Sequence, residues 1–306
     1  MKKKCVGWNL AIFAIKKMKT ALITGATGGI GLATAIALAK LGYTVLIVGR
    51  DENKVTQAVL SIKKQSLNSN IIGFTTNLAN TFTIKNLAED VLKIHSTLDI
   101  LVNNAGAYFS TQNKNACGLE ITMATNHVPY VYLTHLLLPA LMRAPSARVI
   151  NVASQAQMYG KFNSNDLFNL QKYSPIKAYG NSKLYNIMFT FWLANELKNT
   201  NITVNAMHPG GVNTGFAKNA TGLTGFIFRN LKFMLRSAQK GAETIIWLAT
   251  SNSVNGVSGK YFYDKKEIKA QPVAYNVNYQ KQLINETFVY IEKCIKHTQL
   301  PGLSTY

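Results

Sequence analysis

Thr24-Gly25-Ala26-Thr27-Gly28-Gly29-Ile30-Gly31 is the stretch on which the fold turns. Ahead of it, Thr20 to Ile23 reads as a short apolar strand. Behind it, Leu32 to Leu41 is rich in alanine and leucine and reads as a helix. A strand, a glycine turn and a helix start, in that order, form an anion site, because unpaired backbone N–H groups point out of the helix N-terminus. Glycine is needed wherever a side chain would collide with a pyrophosphate or with the next strand. The spacing is G-x-x-x-G-x-G rather than the common G-x-G-x-x-G, so taken alone the turn is also compatible with an ordinary glycine-rich connection.

Working outward, apolar runs and amphipathic segments alternate. Tyr43 to Val48, Ile71 to Thr75, Leu98 to Val102, Arg148 to Val152, Ile202 to Met207 and Gly259 to Tyr263 read as further strands. Asp51 to Gln65, Thr81 to His95 (with Thr81 as cap) and Lys177 to Lys198 read as helices. Gly118 to Met142 reads as one long helix that Pro129 and Pro139 kink or divide. Repeated βα units with apolar strands require a parallel sheet covered by helices on both faces. The expectation is an α/β fold: one doubly wound domain over residues 20–306, preceded by a basic and apolar extension, 1–19.

The chain has 306 residues with 33 basic and 13 acidic side chains, a formal charge of +20. Six lysines fall in residues 1–19 without an acid, which leaves 27 basic against 13 acidic groups spread along the rest. Such a field suits an anionic cofactor or substrate and leaves a membrane surface open as a contact. Zinc spacing, a helix-turn-helix pattern and aromatic RNA-binding motifs are missing from the sequence, so nucleic acid is not expected. Cys5, Cys117 and Cys294 are far apart and odd in number. The reading is therefore no disulfide framework, no metal site and a reducing, cytoplasmic setting. The apolar run Cys5 to Ile15, 11 residues bracketed by lysines, falls short of the ~20 that a membrane-spanning helix needs. An interfacial helix, a disordered tail and an upstream translation start, with Met18 the natural one, are all open readings, of which a dispensable extension is favoured.

In this architecture ligands gather at the carboxyl ends of the strands. Arg50 follows the second strand, where an acidic residue would take a ribose 2′-hydroxyl; an arginine suits a 2′-phosphate instead. Asn77-Leu78 follows the third strand and Asn103-Asn104-Ala105-Gly106 the fourth. Ser154 follows the fifth. Tyr179 and Lys183 lie four residues apart in a helix and so share a face. A nearby ammonium favours a phenolate and lowers the tyrosine pKa from about 10. Such a tyrosine can exchange a proton with a carbonyl or alcohol oxygen while hydride moves to or from a nicotinamide.

The ordered set Thr24-Gly25-x-x-x-Gly29-x-Gly31, Asn103-Asn104-Ala105-Gly106, Asn126, Ser154, Tyr179-x-x-x-Lys183 and Pro209-Gly210 resembles the short-chain dehydrogenase/reductase family. Asn126-His127, the 25-residue gap from Ser154 to Tyr179, His208-Pro209-Gly210 and Ser258-Gly259-Lys260-Tyr261-Phe262 look like its retinol-dehydrogenase-like branch. The resemblance implies a Rossmann-type fold with Tyr179 as acid/base, Lys183 as its partner and ribose anchor, and Ser154 as the hydroxyl that orients the carbonyl. Asn126 would support a proton relay behind Lys183. Gly25, Thr27, Gly28, Gly29, Ile30 and Gly31 would face the cofactor phosphates, with Asn77, Leu78 and Asn104 to Gly106 on the adenosine side. Pro209, Gly210, Val212 and Thr214 would embrace the carboxamide end. The family usually carries Asp-Leu where this chain has Asn77-Leu78, and an Asn oxygen can still accept from an adenine amino group.

The five histidines show no ligand spacing, and the sequons at Asn201, Asn219 and Asn285 read as incidental. Ile227, Leu231, Met234 and Leu235 follow a helical stripe with Arg229, Lys232, Arg236 and Lys240 in other sectors, an amphipathic basic helix that is either packed on its own domain or docked on a membrane surface. The expected activity is an NADP(H)-preferring interconversion, with NAD(H) second, of alcohol and carbonyl on a hydrophobic small molecule. A catalytically silent nucleotide-binding scaffold and a carbon–carbon double-bond reductase are the rival readings. A homo-oligomer is left open.

Overall fold

Seven short apolar runs line up side by side in one sheet, the outermost paired along one edge only and the others along both. The computed structural model describes residues 18–168, 171, 173–211 and 236–298. The elements in order are β1 (Thr20–Thr24), α1 (Gly29–Lys40), β2 (Thr44–Gly49), α2 (Glu52–Ser66), β3 (Ile71–Thr75), α3 (Thr81–Ile94) and β4 (Ile100–Asn103). They continue with α4 (Ile121–Asn126), α5 (Val128–Met142), β5 (Ala147–Val152), α6 (Pro175–Glu196) and β6 (Ile202–Met207). Last come α7 (Ala238–Thr250), β7 (Lys260–Tyr263), β8 (Lys266–Glu267) and α8 (Val277–Thr298). The sheet order is β3-β2-β1-β4-β5-β6-β7-β8, parallel throughout except for the two-residue β8. The chain winds outward one way from β1 to β3 and the other way from β4, so the crevice between β1 and β4 is the topological switch point.

Successive strand residues alternate between two cores. Leu22, Leu46, Val48 and Leu101 point to the face covered by α3, α5, α6 and α8. Ala21, Ile23, Val45 and Ile47 point to the face covered by α1, α2 and α7. Both faces are buried, which is why the strands read as unbroken apolar runs. Each fully buried large aliphatic side chain contributes roughly 1.5–3 kcal/mol.

Local chemistry corrects several expectations. Asn80 rather than Thr81 caps α3: its Oδ1 accepts from Phe82 N at 2.9 Å. Thr81 is the first helical residue, with a buried hydroxyl that finds no partner. The long helix starts at Ile121, where the buried Glu120 carboxylate caps Thr122 N and Met123 N. It then breaks at His127, just before Pro129, whose missing N–H cannot continue the ladder. Tyr130 N bonds to His127 O instead, and the freed Asn126 carbonyl accepts from Asn186 Nδ2 at 3.0 Å. Pro139 stays inside α5. α7, α8 and β8 add to the elements expected from the sequence.

The cysteines also depart from expectation. Cys117 and Cys294, 177 residues apart in sequence, form a disulfide with Cα atoms 5.6 Å apart. Sequence spacing cannot reveal this, because the pairing depends on α8 packing beside the β4–α4 connection. Among the described residues no helix is long and apolar enough to cross a membrane. Residues 1–17, Val212, Thr214 and the basic stripe from Ile227 to Leu235 lie outside the described residues.

Candidate active site

The glycine turn sits at the mouth of the β1–β4 crevice. Gly25 has φ +66 and a Cβ there would lie 2.8 Å from Ala105 Cα, so only glycine lets the two strand ends approach. Gly25 N and Ala26 N donate to Val48 O, which anchors the turn to β2. Thr24 Oγ1 accepts from Asn104 N at 2.9 Å and Ala105 N at 3.0 Å. Asn104 Nδ2 donates to Thr24 O at 2.8 Å and Gly25 O at 3.2 Å, so its side chain braces the turn. Gly31 packs against this brace, where a Cβ would sit 2.6 Å from Asn104 Nδ2. Gly28, by contrast, faces open space, with nothing within 4 Å of an added Cβ. α1 begins directly after it, with no side-chain cap and no acidic residue in its first turn. An uncapped N-terminus, no acid to compete and room at the cap position together fit a pyrophosphate.

On the β2 side, Thr27 packs against Gly49, and Arg50 stands exposed at the strand end. The adjacent acid, Asp51, is committed to the α2 cap and Lys54. Asn77 Oδ1 accepts from Ala79 N at 3.1 Å, which uses one of its two acceptor sites to shape its own turn. Leu78 is buried beside it.

Across the crevice, β5, the short helical turn 155–159 and α6 bring three groups together. Ser154 Oγ accepts from Ala156 N at 3.1 Å, starting that turn, and is also hydrogen-bonded to Tyr179. Lys183, one helical turn beyond Tyr179, is 3% exposed and donates from Nζ to Val152 O at 3.0 Å. Its ammonium nitrogen lies 5.8 Å from the Tyr179 ring centroid. Gly106 leaves room in front of it: a Cβ there would be 3.2 Å from Lys183 Nζ. Asn126 is fully buried, with Oδ1 accepting from Ala107 N at 2.8 Å and Nδ2 donating to Ser182 Oγ at 3.1 Å. It thus ties the loop after β4 to α6.

The electrostatics differ from the simple expectation. Burial pushes the Tyr179 phenol up, and the Ser154 hydrogen bond opposes that rise without cancelling it. Burial lowers Lys183 to about 7. Each group resists charging because removing an ion from water costs more than the partner returns. Helix spacing alone predicts a lowered Tyr179, whereas burial holds its phenol above the ordinary value.

Several supporting residues escaped sequence reading. Gly160 and Gly180 press the 155–159 turn onto α6, since a Cβ on Gly180 would lie 2.8 Å from Ala156 O. The only sequence hint is that Gly180 directly follows Tyr179. Beneath the site, Asn103 Nδ2 donates to Thr134 Oγ1 and Asn151 Oδ1, and Asn151 Nδ2 donates to Thr190 Oγ1, all at 2.9 Å. These buried bonds lock β4, β5, α5 and α6 together, and amides in otherwise apolar strands are the signal that marks them. At the end of β6, Pro209 and Gly210 follow His208, whose Nδ1 accepts from Gly210 N at 3.2 Å.

Comparison with known proteins bears on this arrangement. The sequence profile of the short chain dehydrogenase family matches residues 19–222. Retinol dehydrogenase 14 of Mus musculus is 34% identical over 290 residues, covering 90% of this chain and 87% of that protein. Polyprenol dehydrogenase of Homo sapiens is 34% identical over 289 residues, covering 92% and 88%. Retinol dehydrogenase 12 of Bos taurus is 37% identical over 267 residues, covering 87% and 84%. Among solved structures, an uncharacterised protein from Mycobacterium paratuberculosis superposes with a TM-score of 0.73 at 26% identity, over 90% of this chain and 93% of that one. A short chain dehydrogenase from Shigella flexneri, complexed with NADP, shares the fold with a TM-score of 0.65 at 24% identity, over 80% and 95%. With the switch-point crevice, the glycine turn and these relatives together, the chain belongs to the short-chain dehydrogenase family, in its retinol-dehydrogenase-like branch, and is an NAD(P)-dependent oxidoreductase of alcohol and carbonyl groups.

Proposed function

We propose that the chain is an NADP(H)-preferring enzyme that interconverts a primary alcohol and an aldehyde on a long, isoprenoid-like hydrophobic substrate. The observation that carries the chemistry is Tyr179, hydrogen-bonded to Ser154 with the buried Lys183 one turn away. When bound, the nicotinamide group supplies or accepts a hydride. Ser154 holds the substrate oxygen, and its hydroxyl is steered by the acceptor bond from Ala156 N. Tyr179 gives its phenolic proton to that oxygen in the reducing direction and takes it back in the oxidising one. Lys183, fixed by Val152 O, offers its remaining protons to the ribose and stabilises the phenolate as it forms.

Arg50 supports the choice of NADP(H): it is exposed at the end of β2, and its acidic neighbour is already paired with Lys54. The substrate class follows from the names of the relatives, since retinol and polyprenols are both isoprenoid alcohols. Tyr108, which meets the Tyr179 ring edge-on at 6.0 Å, adds an apolar wall beside the reacting oxygen.

The test is a panel of retinal, a short polyprenal and simple ketones with NADPH and NADH, read by absorbance. Retinal or the polyprenal is expected to turn over fastest, with NADPH preferred at least tenfold. Tyr179→Phe is expected to lose on the order of 10²–10⁴ in turnover. Arg50→Ala is expected to remove the cofactor preference while NADH turnover stays. Full activity in Tyr179→Phe would end the mechanism, and an unchanged preference in Arg50→Ala would end the role of Arg50.

A further inference from the structure

The turn at the end of β6 is held by residues from two later parts of the chain. His208 N donates to Phe262 O at 3.0 Å, which sets the histidine beside β7. Its Nδ1 accepts from Gly210 N at 3.2 Å, so the neutral ring carries its proton on Nε2. The imidazole lies flat against the Tyr263 ring, centroids 4.3 Å apart and planes 3° apart. The Arg236 guanidinium also covers Tyr263, at 4.9 Å from its centroid, and donates to the tyrosine hydroxyl. Two donors of the same guanidinium grip the Asp264 carboxylate as a fork. Arg236 N then donates to Gly211 O at 2.8 Å. Gly210, at φ +76, has Arg236 Nε and Tyr263 Cε2 both 3.3 Å from where its Cβ would be. Arg236 and Tyr263 thus clasp Gly210 and Gly211, with Asp264 gripping the guanidinium.

Ion pairs of this exposure contribute little to stability. What the clasp fixes is direction. Asp264 and Lys265, at φ +47 and +62, are the two central residues of the tight β7–β8 hairpin, so the turn itself sets the place of the Asp264 carboxylate that Arg236 grips. The positive charge is matched by Asp264 and stacked on an aromatic face, so it is not presented to a phosphate. The turn it holds stands at the carboxyl end of β6, on the Ser154–Tyr179 side of the sheet. Arg50 and the glycine turn stand on the other side of the switch point.

We infer that Arg236 is a positioning residue for the nicotinamide half of the dinucleotide, acting through Tyr263, Asp264 and the Pro209-Gly210-Gly211 turn. The inference rests on the dinucleotide reading proposed above. It predicts that damage to the clasp is felt at one end of the cofactor only.

The test uses the full chain and its Arg236→Ala, Arg236→Lys and Asp264→Asn forms. Binding of NADPH is compared with binding of 2′,5′-ADP and 5′-ADP, which carry the adenosine half without the nicotinamide. Arg236→Ala is expected to weaken NADPH by tenfold or more and to leave the binding of both adenosine fragments within twofold. Its KM for NADPH should rise more than its kcat falls. Arg236→Lys, which keeps the charge but not the planar fork, and Asp264→Asn should shift NADPH in the same direction by less. Equal weakening of NADPH and the fragments, or no weakening of either, overturns the inference. Wild-type protein that binds none of the three ligands overturns the dinucleotide reading and this inference with it.

Discussion

Burial lowers Lys183 to about 7 while its Nζ is held by Val152 O, and that combination has a measurable consequence away from catalysis. The folded value lies below the unfolded value of about 10.4. Between the two, the unfolded chain binds more protons, so this group makes stability rise with pH from about 7 to about 10.4. Below pH 7 it is charged in both states, and the cost of burying the charge is fully present. Lys183→Met is therefore expected to abolish turnover and yet to be more stable than wild type by about 2–4 kcal/mol at pH 6, an advantage that fades by pH 10. Urea unfolding at the two pH values decides it; a variant less stable at pH 6 defeats the argument. At this scale Tyr179 and Lys183 were legible because a four-residue gap places two side chains on one helix face. Arg236 was not. Its partners are Tyr263 and Asp264, distant in sequence, and helical spacing alone assigned it to the polar side of a basic helix.

Two glycines in different elements separate packing from binding. Gly180 in α6 and Gly160 touch backbone to backbone, so a methyl on Gly180 must lift the 155–159 turn and carry Ser154 with it. Gly180→Ala is expected to lower kcat at least tenfold and cost about 1–3 kcal/mol in stability. Gly28 at the start of α1 has an extended backbone, φ −175, and no neighbour within 4 Å. Gly28→Ala should stay within about 0.5 kcal/mol of wild type. Its added methyl intrudes where the pyrophosphate fits, so NADPH affinity should fall tenfold or more. Melting curves paired with NADPH titrations test both, and a stable Gly180→Ala with full activity would contradict the packing account. Element by element, β3 and β6 came out of the sequence with their observed ends, since each is a short apolar run between clear breaks. The break at His127 was harder to read, because prolines announce an interruption without fixing the residue that turns. α7 and α8 are less legible, because no glycine motif or catalytic pair marks them in the sequence.

Over the whole molecule, the doubly wound order follows from alternating elements and from the handedness of their crossovers. The disulfide does not. Cys117 leaves the β4–α4 connection and Cys294 lies in α8, and only the packed fold makes them neighbours. By closing a loop of 177 residues, the bridge can contribute up to about 5 kcal/mol. Wild-type protein is expected to lose a large part of that on addition of dithiothreitol, whereas Cys117→Ser should be indifferent to the reductant. Equal urea midpoints for wild type with and without dithiothreitol would exclude the bridge as a stabiliser.

α8 is the last described element to be made. Leu283, Ile284 and Ile291 complete the core over α3, α5 and α6, and Thr287 and Tyr290 reach His127 and Asn115. Until ribosomes have translated this helix and released it from the exit tunnel, three earlier helices present an apolar surface with nothing over it. The nascent chain cannot finish folding from its N-terminus forward, because that surface is covered only once α8 has been made.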